Sequence, residues 1–176
     1  VDDQLTISEQ PHLILDILQR EPFNYELKDI GPPKRYLGAT VGRYKLNETE
    51  TWFLSAEEYL EKAIPTIEER IGHKFEEMFP KSRLSTPATP DYHPEIDEST
   101  FLVGDDISLY QSYIGIIRWA VELGRIDVAH AAATMAKFMA TPREGHLTAV
   151  FRILGYLKMH LRSKIVIDTA LRDMKD

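Results

Sequence analysis

The stretch from Asp105 to Gly124 constrains the fold more than any other part of the sequence, because its apolar residues recur at helical spacing. At about 100° per residue, one broad side of a helix collects the apolar side chains, namely Tyr110, Tyr113, Ile114, Ile116, Ile117, Ala120, Val121 and Leu123. Aspartates at the start and a glycine at the end suit the two termini of a helix. The sequence therefore predicts a helix with one face buried in a core.

The opposite side of this helix carries an unusual stripe. Gln111, Gly115 and Trp119 follow one another at i, i+4 and i+8, so they lie in a row along the helix. A glycine inside a helix costs ~1 kcal/mol relative to alanine, which indicates close approach by another group. The stripe suits a groove or a chain lying across the helix. The alternative places Trp119 in the core and a neighbouring helix against Gly115, with Gln111 in solvent.

Composition excludes several classes of site. The chain has no Cys, so disulfides and thiolate metal sites are excluded, and its six His residues lack the spacing of a zinc motif. Of its 176 residues, 43% are hydrophobic, which is enough for a sizeable core. No apolar run approaches ~18 residues and no signal peptide is visible, so we expect an intracellular protein without membrane contact. The sequence does not begin with Met, and we expect it to be part of a longer chain.

Charge is distributed unevenly along the chain. The formal net charge is -7, which argues against general nucleic-acid binding. Residues 114–164, however, carry eight Lys and Arg against three acidic residues, and residues 28–45 carry five against one. Two basic regions in an acidic protein can still hold a polyanion. Ordinary solvated faces are the competing explanation.

Local patterns predict a strand-rich first third of the chain. Residues 1–8 alternate like a strand, a helix follows from Ser8 to Arg20, and 23–27 form another short strand. Residues 35–44 and 51–54 form a β-hairpin across the polar turn 47–50. Asp2 and Asp3 begin the first strand, either as a simple turn or as ligands for a divalent metal ion.

The remainder of the chain is predicted to be mainly helical. A helix capped by Ser55 should kink or break at Pro65, and 81–104 should form a long, mobile surface connection. Helices follow at 127–139 and from a capping box at Thr141 to about Leu161. In the last helix, Arg152, Lys158 and Arg162 should face outward. A strand begins at Ile165.

Short motifs in a fixed order connect the chain with a known family. Lys28-Asp29-Ile30-Gly31, Tyr36-Leu37-Gly38, Ser85-Thr86-Pro87, Tyr110-Gln111-Ser112-Tyr113-Ile114-Gly115, Arg125 with Asp127, Lys137-Phe138-Met139, and 152–158 follow one another. This series resembles the reverse transcriptase of copia-type long-terminal-repeat retrotransposons, and the resemblance runs through nearly the whole chain. Gly124-Arg125-Ile126-Asp127 departs from the usual T-R-P-D sequence.

The resemblance implies roles for the sites described above. Asp2 and Asp3 match the two carboxylates of the Y-x-D-D motif, which hold catalytic Mg²⁺ or Mn²⁺ together with a third, upstream Asp. The hairpin resembles the primer grip, with nucleic-acid contacts from Lys34, Arg35, Tyr36, Leu37, Gly38 and Arg43. The row formed by Gln111, Gly115 and Trp119 resembles the minor-groove track of retroviral enzymes. Glu122 also lies on that face and would repel phosphate.

We therefore expect an α+β fragment in three parts. Residues 1–54 would form the end of the palm with the primer grip, 55–162 a helical thumb, and 163–176 the start of a connection to an RNase H domain. The implied partners are an RNA or DNA template-primer duplex and the neighbouring domains of the same polyprotein, in the cytoplasm or in virus-like particles. Alone, the fragment should not polymerise and should hold no metal ion tightly. The rival expectation is a degenerate or domesticated remnant that acts as a non-catalytic helical interaction module.

Overall fold

A computed structural model describes residues 5, 6, 10–28 and 30–167 and confirms the α+β class. Within these residues, a four-stranded antiparallel sheet is combined with a helical body. The strands are β1 (Arg35–Tyr36), β2 (Ala39–Leu46), β3 (Thr49–Ser55) and β4 (Lys164–Ile167). The helices are α1 (Pro11–Gln19), α2 (Glu57–Ile71), α3 (Phe75–Met78), α4 (Asp105–Glu122), α5 (Ala129–Ala136) and α6 (Glu144–Met159).

The sheet has the strand order β1-β2-β3-β4. The first three strands are consecutive in the chain, whereas β4 returns after all of the helices from α2 to α6 and pairs with β3. Ser55, the last residue of β3, lies directly opposite Lys164, the first residue of β4. The chain therefore leaves the sheet for the helical body and re-enters it at the same point.

The hairpin between β2 and β3 has a tighter turn than the sequence predicts. Leu46 pairs with Thr49, so only Asn47 and Glu48 form the turn, with φ of 46° and 69°. Two positive φ values define the type I′ turn, whose twist matches that of the flanking strands. The predicted four-residue turn 47–50 was wrong, because the Asn-Glu pair lacks the glycine that usually marks this turn.

The helical body is built around the buried face of α4, as its periodicity predicts. Tyr110, Tyr113, Ile114, Ile117 and Ala120 are all buried there, against residues of α2, α5 and α6. The hydroxyl of Tyr110 donates a hydrogen bond of 2.7 Å to the carbonyl oxygen of Met135 in α5. Burial raises the pKa of this hydroxyl, which keeps it protonated as a donor. The aromatic ring can thus be buried without leaving its polar end unpaired.

Pro65 does not break α2, which runs without interruption through this residue. Its side chain is exposed, so the carbonyl oxygen that loses its partner on that side can be solvated by water. The capping box predicted at Ser55 does not form. The Ser55 hydroxyl accepts a hydrogen bond of 3.2 Å from the Glu57 amide, but the Glu58 carboxylate pairs with Arg35 instead of returning to Ser55.

Several other local predictions were wrong. Residues 23–27 form no strand, and the Tyr25 amide is instead bonded to the Leu18 carbonyl at the end of α1. The helix predicted at 127–139 comprises a 3₁₀ turn, Ile126–Val128, followed by α5. The last helix begins at Glu144 and ends at Met159. The strand predicted at 1–8 and the cap at Ser8 lie largely outside the described residues.

The connection 81–104 is anchored to α6 rather than loosely attached. It contains two 3₁₀ turns, Lys81–Leu84 and Pro94–Ile96, and the side chain of Leu84 is buried. The Nε2 of buried His146 lies 2.9 Å from the Pro94 carbonyl oxygen, while its Nδ1 accepts the Arg143 amide at 3.1 Å. These partners require the neutral tautomer with the proton on Nε2.

Two cations of α6 were predicted to face solvent, but the structure places them elsewhere. Arg152 is buried under this connection, with its Nη2 3.3 Å from the Thr86 hydroxyl. The Lys158 ammonium lies 2.9 Å from a carboxylate oxygen of buried Glu68 and 2.8 Å from Glu76. Burial opposes the charge on Lys158, but hydrogen bonds to Glu76 and Glu68 outweigh it and raise the pKa of the ammonium.

Gly145 permits the close approach between the connection and the start of α6. A Cβ at this position would lie 1.9 Å from Oδ2 of Asp97. That carboxylate is held by the Tyr92 hydroxyl at 2.7 Å and the Ser99 amide at 2.9 Å, so it cannot move away freely. We expect Gly145→Ala to lower the free energy of unfolding by ~1 to 3 kcal/mol, as overpacking does, measured by urea denaturation.

Asp97→Ala provides the control for this prediction. In that background the obstructing carboxylate is absent, so the added methyl group of Gly145→Ala should cost much less. Equal costs in the two backgrounds would contradict the steric explanation.

Candidate nucleic-acid interface

The stripe on α4 lies on the exposed side of the helix. Trp119 is 45% exposed, and a Cβ built on Gly115 would meet nothing within 4 Å. From Gln111 to Trp119 the stripe extends about 12 Å at the helical rise of 1.5 Å per residue. The alternative in which Trp119 belongs to the core and a helix packs on Gly115 was therefore wrong.

Gln111 is oriented by a neighbouring helix end. Its Nε2 donates a hydrogen bond of 3.0 Å to the carbonyl oxygen of Met139, just beyond α5. A side-chain amide has two N–H donors and a carbonyl acceptor, so one N–H and the oxygen are left for a ligand. The hydrogen bond to Met139 fixes the direction in which these groups point.

The turn between β1 and β2 holds Leu37 in a strained conformation. Tyr36 pairs with Ala39, so Leu37 and Gly38 form a two-residue turn with φ of 49° and 92°. Glycine adopts positive φ freely, but a leucine there is uncommon and costly. The strain holds the Leu37 side chain, which is 52% exposed, at the tip of the turn.

The fold brings this turn against the stripe of α4. A Cβ built on Gly38 would lie 3.9 Å from Nε1 of Trp119 and 3.9 Å from Cδ2 of Leu123. The turn and the helix are separated by about 80 residues of sequence, yet they form one surface. Two groups of residues that the sequence assigns separately to nucleic-acid contact are thereby adjacent.

The predicted cations of the hairpin are in three different situations. Arg35 forms an ion pair with Glu58, whose pKa is lowered chiefly by the hydrogen bond from this guanidinium, so both groups are ionised at neutral pH. Arg43 stacks on Trp52 at 3.8 Å and approaches Glu50 at 3.9 Å. Lys34 is exposed and has no ion pair with any described residue. Of these three cations, Lys34 is therefore the one most available to an anion.

The basic region at 114–164 contributes less surface charge than its composition suggests. Arg125 is 1% exposed and is bound by Asp127 through two hydrogen bonds of 2.9 Å and 2.7 Å. Burial raises the pKa of Asp127, but the hydrogen bond and charge of Arg125 outweigh it and leave that pKa lowered. Because Arg152 and Lys158 are also enclosed or paired, only part of the counted excess reaches the surface.

Trp52 is a residue that the sequence analysis missed. The predicted four-residue turn would place Arg43 opposite Leu54, whereas the observed register pairs Arg43 with Trp52. Recognition of a two-residue turn would have revealed this pair, since directly opposed side chains in an antiparallel sheet are in contact.

The predicted metal ligands belong to the first residues of the chain. Asp2 and Asp3 lie outside the described residues. Within residues 5, 6, 10–28 and 30–167, no group of three or more His, Asp or Glu side chains could hold a metal ion. In the same part of the chain, none of the helices is both long enough and apolar enough to cross a bilayer.

Comparison with known proteins supports a retrotransposon Pol region as the class to which this sequence is related. The chain is 26% identical over 167 residues to the "Retrovirus-related Pol polyprotein from transposon TNT 1-94" of Nicotiana tabacum, which covers 90% of the chain and 11% of that relative. It is also 26% identical over 157 residues to a transposon Ty5-1 protein of Saccharomyces cerevisiae, with 89% and 46% of the two chains covered. The chain thus spans only a minor part of either relative.

Two further comparisons gave no match. No protein-family model matches the sequence. No solved structure gives a significant match.

The two aromatic residues Trp119 and Tyr110 should respond differently to truncation. Trp119→Ala should lower the free energy of unfolding by less than about 1.5 kcal/mol, because the ring is largely at the surface. Tyr110→Ala removes a fully buried ring of the same helix and should cost ~3 to 5 kcal/mol. Chemical denaturation of both variants is the measurement. Similar losses for the two would mean that Trp119 is buried in solution.

Proposed function

We propose that this chain is part of a retrotransposon reverse transcriptase and that it holds the template-primer duplex. In this proposal the duplex lies across the exposed stripe of α4, and the β1–β2 turn contacts the primer strand beside it. The parent activity would be RNA-directed DNA synthesis in the cytoplasm or in virus-like particles. RNase H and the rest of the polymerase would be neighbouring domains of the same polyprotein.

The adjacency of the β1–β2 turn and Trp119 is the observation that carries this proposal. It places a strained, exposed turn beside an exposed aromatic residue on one surface. Beside them, the bare backbone at Gly115 leaves room for a ligand to approach the helix closely. The motif resemblance and the similarity to two transposon sequences support the same conclusion.

The chemistry of the stripe suits a duplex held without regard to sequence. In the minor groove, all base pairs present similar acceptors, so an amide such as Gln111 can bind without reading bases. An indole can pack on sugars or bases of any identity, since each offers a flat or apolar surface. A polymerase requires sequence-independent binding, because duplexes of every sequence must pass through the same site.

A direct binding experiment separates this proposal from its rival, a helical interaction module without nucleic-acid contact. The purified chain is titrated into a fluorescently labelled primer-template duplex, and anisotropy is recorded at several salt concentrations. Saturable binding that weakens with salt supports the proposal. Absence of binding even at low salt would favour the interaction module.

Gly115→Ala should have opposite effects on stability and on binding. Alanine is a better helix former, and the added methyl group meets no protein atom, so stability should rise by up to ~1 kcal/mol. The same methyl group would obstruct the duplex and weaken its binding. Thermal melting and duplex titration measure the two effects. Thr148, exposed on α6 behind the buried face of α4, offers Thr148→Ala as a control that should leave binding unchanged.

Lys34 and Arg35 should contribute unequally to the salt dependence of binding. Each phosphate contact on a duplex contributes about 0.9 to the slope of log K against log salt. Lys34→Gln should therefore reduce the slope by up to about 0.9, whereas Arg35→Gln should change it less because Glu58 already pairs with Arg35. The slope is obtained from titrations between low and physiological salt. A larger change for Arg35→Gln would mean that the ion pair opens on binding.

A further inference from the structure

The Arg43 guanidinium lies over the ring of Trp52 on the surface of the sheet. Its central carbon lies 3.8 Å from the centroid of the Trp52 ring, and the two residues are direct partners in the β2–β3 register. Its distance of 3.9 Å to Glu50 is too long for a hydrogen bond. With the described residues, the guanidinium forms no hydrogen bond, and the side chain is 53% exposed. Its N–H groups can therefore receive an anion.

Arg43 lies on the same face of the sheet as residues that pack against the helical body. Side chains alternate along β2, so Ala39, Val41 and Arg43 share a face, and Ala39 is buried in the core. Gly124 follows the end of α4. A Cβ built on it would lie 3.6 Å from the Ile165 side chain and 3.6 Å from the Leu54 carbonyl oxygen. The hairpin leads from Gly38, which lies beside Trp119, along β2 to Arg43, where the strand becomes exposed.

The separation along the hairpin matches a short stretch of nucleic acid. Arg43 follows Gly38 by five residues, which is roughly 16 Å of extended strand. One strand of a duplex advances 3.4 Å per nucleotide, so this distance corresponds to about five nucleotides. A strand that passes Trp119 and Gly38 could place a phosphate at Arg43.

We propose that Trp52 is the positioning residue that presents the Arg43 guanidinium to a phosphate of the bound nucleic acid. This inference rests on the proposed function, in which Arg43 is already a nucleic-acid contact, and adds a residue that acts on that contact without touching the ligand. Stacking restricts a long, flexible side chain before the ligand arrives, so less conformational entropy is lost on binding. A planar guanidinium can then donate two parallel hydrogen bonds to phosphate oxygens, which an ammonium cannot.

The opposite face of the sheet provides a matched control. Lys164 also lies over aromatic rings, 4.5 Å from Phe53 and 5.2 Å from Tyr44. Phe53 pairs with Gly42, so these rings occupy the face that does not carry Arg43. Lys164→Gln removes one charge from a similar environment without touching the proposed path.

The experiment combines duplex titration with a double-mutant cycle on the full chain. Arg43→Gln should weaken binding about tenfold at low salt and reduce the salt slope by about 0.9. Arg43→Lys keeps the charge but should still lose ~3-fold or more, because the planar donor is lost. Trp52→Leu should weaken binding ~2- to 5-fold, the scale of an exposed cation–π contact, while Trp52→Phe should be nearly neutral.

Coupling between the two residues decides whether Trp52 only positions Arg43. In an Arg43→Gln background, Trp52→Leu should have no further effect on affinity. An equal loss with and without Arg43 would overturn the positioning role, and so would an unchanged salt slope in Arg43→Gln. Thermal melting of each variant identifies losses due to unfolding, and Trp52→Phe and Arg43→Lys test the inference if Trp52→Leu does not fold.

The same data distinguish failure of this inference from failure of the proposed function. If Lys164→Gln lowers affinity as much as Arg43→Gln, the contact is general electrostatics and the inference is wrong. If Gly115→Ala weakens binding but the Arg43 and Trp52 variants do not, the inference fails and the proposed function stands. If the unaltered chain binds no duplex, both are overturned.

Discussion

Packing of α4 against three other helices determines which of its side chains reach solvent. Tyr110, Ile114 and Ile117 are excluded from solvent by α2, α5 and α6, and the Tyr110 hydroxyl is tied to α5. A helix held in this way cannot rotate about its axis without exposing several large apolar side chains, each worth ~1.5 to 3 kcal/mol. The opposite stripe is consequently fixed in orientation. Its exposure follows chiefly from the packing behind it, and the hydrogen bond from Gln111 to Met139 adds a local constraint.

The parts of the site that follow from local pattern were predictable from the sequence. Helical periodicity alone places Gln111, Gly115 and Trp119 in one row, and the alternating pattern of the hairpin indicates its two strands. Contacts set by tertiary structure were not predictable in this way. The position of Arg152 beneath the connection depends on where 81–104 docks, and the stacking of Arg43 on Trp52 depends on a turn length that Asn47-Glu48 does not signal.

The same distinction explains why counting charges overstated the basic surface. A sequence count treats all cations alike, whereas this fold encloses Arg125 and pairs Lys158 with two carboxylates. A cation that must be desolvated needs a counter-charge. Buried basic residues therefore pair with acidic residues and do not contribute to a positive surface. The charge available to a polyanion therefore comes from fewer positions than the count suggests. In the proposed function, the geometry of the surface matters more than the net charge of this acidic chain.

The adjacency of Ser55 and Lys164 makes the helical body an insertion within an antiparallel meander. If the residues from 56 to 163 were replaced by a tight turn, β3 and β4 would become an ordinary hairpin in the same sheet. Entry and exit at neighbouring points are the topology in which one unit can be inserted into another without disturbing its strand order. The sheet and the helical body can therefore change in length independently, provided that the residues packing one against the other, such as Ala39 and Leu54, are kept.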